Sequence, residues 1–103
     1  MKIIRDLSEM IEDELEGAEH YAEFALLHKD DNPAMAAVFL EISAQELHHV
    51  NLLHEEVVKV IKKYREKHGD PPPEMQAVYD WQHKKEIERM KEVRILHSQF
   101  RGA

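Results

Sequence analysis

Two breaks decide what this chain can fold into. Pro33 follows Asp30-Asp31-Asn32, and Pro71-Pro72-Pro73 follows Gly69. On either side of these breaks, apolar residues recur at spacings of three and four, the period of an amphipathic helix. Asn32 suits a helix N-cap and Pro33 the first helical position. Gly69 suits a C-cap, and the proline run is a stiff extended corner that cannot continue a helix. The pattern predicts an all-α chain with helices from about Asp6 to Lys29, Pro33 to Lys67 and Glu74 to Phe100. Asp6 with Glu9 resembles a capping box for the first of these. The first connection is short, so helices one and two should form a long antiparallel hairpin over residues 1–69. Residues 70–103 add the proline corner and a third helix to the same single domain.

Composition narrows the function. With 103 residues there is room for one domain. There is no cysteine, which excludes disulfides, iron–sulfur clusters and thiolate zinc sites. A formal charge of −7 argues against nucleic acid as a partner and suits a protein that attracts cations. No apolar run approaches the roughly 20 residues of a membrane span. Met1-Lys2-Ile3-Ile4 runs at once into Arg5 and Asp6, without a signal-peptide pattern, so no membrane association and a cytoplasmic location are expected. No serine stands with histidine and aspartate in a nucleophile motif.

The informative feature is where the apolar stripes are interrupted. Helix one reads Ile4, Leu7, Ile11, Glu14, Ala18, Tyr21, Ala25, His28. Helix two reads Phe39, Ile42, Glu46, His49, Leu53, Val57, Val60, Tyr64. A carboxylate and an imidazole three apart on one helix face can ligate one metal ion. With 15 Glu and 8 His in the chain, one Glu-x-x-His is expected by chance, and only Glu46–His49 occurs. Register adds a second coincidence: counted from Asp31, Glu14 lies 17 residues back, Glu46 15 forward and His49 18 forward. In an antiparallel hairpin all three reach nearly one level. The bland alternative is a salt-bridged or solvent-facing pair. Gly17 beside Ala18 would leave room for a backbone or a ligand. The other ionisable residues are expected to be structural. His48 and His54 face outward, His28 is a hydrogen-bonded core residue, Glu86 pairs with Arg89, and Asp80 and His83 lie at the surface. The third helix is expected to act as a cover or a dimerisation element.

One hairpin supplies half of a constellation in which two helices each give a Glu and two others each give Glu-x-x-His. Two copies related by a two-fold axis would bring two Glu14, two Glu46 and two His49 into a four-helix bundle. Four carboxylates would then balance two divalent ions. Glu14…Tyr21-Ala22-Glu23-Phe24-Ala25 and Val38-Phe39-Leu40-Glu41…Glu46-Leu47-His48-His49 resemble the first helical hairpin of the rubrerythrins. They are also similar to the encapsulated ferritins, whose half-bundles complete a metal site by dimerising. The resemblance covers about residues 10–55 and implies a ferritin-like four-helix bundle. It implies Glu14, Glu46 and His49 as iron ligands, two irons per dimer interface, Tyr21 as an aromatic neighbour of the site, and oxidation of Fe(II) by dioxygen or peroxide. Manganese or zinc would fit the same ligands. An electron donor or an enclosing compartment would be further partners. The chain has neither a second hairpin nor a rubredoxin-like cysteine module, so a complete site requires a homodimer or a higher even-numbered oligomer. The rival expectations are a metal-binding or sensing module without turnover, and a helical interaction protein.

Overall fold

The computed structural model describes residues 1–102, and every regular element in them is helical. α1 spans Lys2–Leu27, α2 Pro33–His68 and α3 Pro73–Phe100. α2 has 36 residues. At 1.5 Å per residue it is about 54 Å long, which sets the 56 Å long axis of a molecule 18 by 17 Å across. Among the described residues no helix is long and apolar enough to cross a membrane.

The breaks act as their residues dictate. Asn32 accepts a hydrogen bond from the Met35 amide at 3.3 Å, and its own N–H reaches the His28 carbonyl at 2.9 Å. Gly69 closes α2 at φ 75°, with its amide on the Arg65 carbonyl at 2.9 Å. That left-handed turn is costly for any residue with a Cβ. Pro72 is extended at φ −54°, ψ 147°, and Pro73 takes the first position of α3. The start of α1 differs from expectation. The helix begins at Lys2 with no side-chain cap, so Asp6 and Glu9 form no capping box. Asp6 lies inside the helix, 3.7 Å from Lys2. Ile4 and Leu7 pack on the core, and their burial carries the helix one turn beyond the polar cap signal.

The buried line is rotated from the predicted stripes. On α1 it is Ser8, Ile11, Leu15, Ala18, Ala22 and Ala25, and on α2 Ala36, Ser43, Leu47, Val50 and Val57. Phe39, Ile42, Glu46 and Leu53 are only half-buried and His49 is exposed. Alanine and serine at the contact let two backbones approach closely. They carry little hydropathy, so larger residues flanking the contact dominated the periodic signal. Glu14, Glu46 and His49 therefore border the core and do not interrupt it.

α3 packs along one side of this hairpin, chiefly on α1. Arg89 lies 3.7 Å from Glu19, and Gln82 donates to Glu12 at 3.4 Å. At the centre, buried Ser43 donates to the Ala18 carbonyl at 2.6 Å and meets His97 Nε2 at 2.8 Å. The serine has one proton and Ala18 takes it, so Nε2–H of His97 must be the donor to Ser43 Oγ. Three helices are thereby pinned at one hydroxyl. The pair is not a nucleophile with its base, because the histidine gives a proton and accepts none. By helical period, Ser8, Glu12 and Glu19 lie toward α3, whereas Met10, Glu14, Gly17 and Tyr21 lie toward the opposite side. That second face of the hairpin is uncovered: Met10 is 51% and Val38 56% exposed.

Candidate metal centre

The uncovered face carries the predicted residues. Glu14 projects from α1, with Glu46 and His49 one turn apart on α2, and the antiparallel register brings them to one level. One potential ligand atom from each lies within 4.8 Å of the others. Glu14 Oε2 is 3.2 Å from His49 Nδ1. Nδ1 is thus the ring nitrogen turned toward the carboxylates, on the side where an ion shared with Glu14 would lie. A hydrogen bond to Glu14 raises Glu46 to about 7; burial and the neighbouring Glu14 charge push the same way, and His49 opposes them. Glu46 thus holds its proton more tightly than an ordinary carboxyl, as expected beside a second acid with no cation between them. Gly17 faces this pair: a Cβ there would lie 3.5 Å from Glu46 Oε2 and 3.8 Å from the Tyr21 ring. The absent side chain keeps the α1 surface low beside the carboxylate. Tyr21 packs on Phe39, ring centres 5.9 Å apart. Among the described residues its hydroxyl forms no hydrogen bond with Glu14 or Glu46, so it is a packing neighbour of the group.

The donor set fits a hard or borderline divalent ion. Two carboxylates and one imidazole suit iron, manganese or zinc, and the proton that Glu46 retains is one a cation would displace. Half-exposed His49, at 49% side-chain exposure, leaves one side of the group open to further ligands.

A second group was not foreseen. His54 of α2 meets His83 and Glu86 of α3, again with ligand atoms within 4.8 Å of one another. Three expectations fail here. His54 turns inward and stacks on His83, ring centres 4.6 Å apart at 18°. His83 is half-buried beside it, and only Asp80 of that pair is exposed. Glu86 is 8% exposed and does not pair with Arg89, which reaches Glu19 instead. Burial, then the Glu12 charge, raises the Glu86 carboxyl to about 7. Burial and the neighbouring His83 lower His54. The signal was present in the sequence: His54 lies 15 residues before Gly69 and His83 14 after it, the same equal-height register that singled out the first group. His28, expected in the core, is half-buried and hydrogen-bonds Asp31 at 3.1 Å in the turn.

Fold and side chains together define an all-helical chain with two groups of metal-ligand type, one on each side of a hairpin. No protein-family model, curated protein or solved structure matches it.

Proposed function

We propose that two copies of this chain pair through their uncovered hairpin faces and hold two divalent metal ions between them, with ferroxidase-type oxidation of Fe(II). The observation that carries this reading is the convergence of Glu14, Glu46 and His49 on the one hairpin face that α3 leaves bare. A single chain offers three ligands, too few for a bridged pair of ions. Two chains offer four carboxylates and two imidazoles, and four negative charges balance two divalent cations. Exposed Met10 and Val38, with half-buried Ile42 and Leu53, give that face an apolar surround suited to a symmetric contact. The hairpin's likeness to the rubrerythrins and encapsulated ferritins points the same way.

In this reading Fe(II) is the substrate and dioxygen or peroxide the electron acceptor. Glu46 of each chain would be shared between the ions, Glu14 would hold one of them, and His49 would ligate through one ring nitrogen. Ions about 3.5–4 Å apart can each supply one electron to a shared oxidant. Metal uptake would displace a proton from Glu46. Tyr21 and Phe39 keep one flank apolar. A cytoplasmic setting belongs to the same proposal.

Mass in solution and elemental analysis test the assembly, and stopped-flow absorbance after mixing with Fe(II) and air tests the turnover. A dimer with two irons that oxidises Fe(II) faster than buffer supports the proposal. Metal bound without oxidation leaves a binding or sensing module. A monomer that binds no ion at Glu46 ends it.

A further inference from the structure

The side of the hairpin that α3 covers holds a different arrangement, complete within one chain. α3 has 28 residues, yet its fully buried side chains are Glu86, Val93 and His97, one hydrophobe and two ionisable groups. His97 is matched by Ser43. Glu86 has no such match: Arg89, one turn along α3, is turned to Glu19 instead. Glu86 is 8% exposed as a residue, its carboxylate oxygens are not sealed off, and a mostly buried glutamate without an ion pair is uncommon. It faces a small pocket of about 10 Å³ at the meeting of all three helices, whose polar lining is Ser8, His54, Tyr79, Gln82, His83 and Glu86. That is room for one sphere the size of a water molecule or an ion.

We propose that His54, His83 and Glu86 form a second metal site of zinc type, whose ion clamps α3 onto the hairpin. Two imidazoles and one carboxylate are a common three-ligand zinc set, with a fourth position for water. Around a tetrahedral ion with bonds of about 2.0–2.1 Å, ligand atoms stand about 3.4 Å apart. The three ligand atoms, now within 4.8 Å of one another, would draw together by up to about 1.4 Å to meet that spacing. The same three residue types also suit six-coordinate Fe(II), but three further ligands would be needed and the cavity has room for about one. The ion would supply Glu86 with its missing counter-charge. It would also cross-link α2 to α3 in the half of α3 nearest the proline corner.

The site is separable from the one between subunits, so the test begins in a Glu46→Ala background that removes the latter. Co(II) titrated into this variant should develop the intense visible absorption of a tetrahedral ion, at one equivalent per chain, and Zn(II) should displace it. Adding His83→Ala or Glu86→Gln should abolish that absorption. Glu86→Gln removes an unpaired charge while keeping the shape, so its metal-free form should melt no lower than its parent at pH 8, which separates lost binding from lost folding. Zn(II) should raise the melting temperature of the Glu46→Ala protein and leave that of the two double variants unchanged. No tetrahedral absorption in Glu46→Ala, or absorption that survives both added substitutions, overturns the proposal.

Discussion

Glu86 shows how one side chain can set a pH profile. Its carboxyl titrates near 7 in the fold against an ordinary value of 4.5. Between those values the folded metal-free chain holds a proton that the unfolded chain has released. Stability therefore falls as pH rises from about 4.5 through 7, by an amount on the order of 2–3 kcal/mol. In chelator-treated protein, Glu86→Gln should match the parent near pH 4.5 and exceed it by about that margin at pH 8. Denaturant melts at the two pH values check this, and equal stabilities at pH 8 would contradict it. Gly17 makes a second case. Its missing Cβ would meet Glu46 only at ordinary contact distance, 3.5 Å. Gly17→Ala should then gain helix propensity, about 0.5–1 kcal/mol, without strain, whereas Gly17→Leu should obstruct the carboxylate and weaken Mn(II) uptake in a binding titration.

Among the elements, α3 depends on polar matches more than on grease. Ser43→Ala would orphan the buried His97 N–H and take a second hydrogen bond from the Ala18 carbonyl, at a cost of about 1–3 kcal/mol in chemical unfolding. His97 contributes its own pH dependence. Burial, then Arg101 and Arg94, lowers its pKa below 6.5. Below pH 6.5 the unfolded chain takes up a proton that the folded chain refuses, so stability drops on acidification, opposite in sign to the Glu86 effect. A His97→Gln variant, which keeps an N–H for Ser43, should lose that acid-side slope and retain the alkaline-side one. How legible the elements were follows from the same residues. The helix breaks were readable because Asn32, Pro33, Gly69 and the proline run each have a backbone reason to stand where they do. The start of α1 was not, because Ile4 and Leu7 pack in three dimensions and override a local cap. The group at Glu14, Glu46 and His49 was found by counting residues outward from the first turn. The group at His54, His83 and Glu86 escaped because each member had a cheaper local reading, and only the fold shows that Arg89 is occupied by Glu19.

At the scale of the molecule, the apolar residues left on the open face decide the assembly. If two copies meet there, a lysine for half-buried Ile42 should break the contact. Light scattering would then report a monomer, and Fe(II) oxidation would fall to the buffer rate with the helical content unchanged. A variant that stays dimeric and active would place the interface elsewhere. The formal charge of −7 predicts in addition that the metal-free dimer weakens at low salt, where its two acidic copies repel.

His49 and His54 stand five residues apart on α2 and look to opposite sides of it. A paramagnetic ion introduced on the bare side should broaden the methyl resonances of Ile42 and Leu53. One introduced beneath α3 should act most on Val57, which lines the pocket there, and less on Ile42, about 18 Å along α2 from His54. A single continuous helix thus serves as the partition between two magnetically distinguishable compartments, and an NMR spectrum of one labelled sample can say which has been filled first.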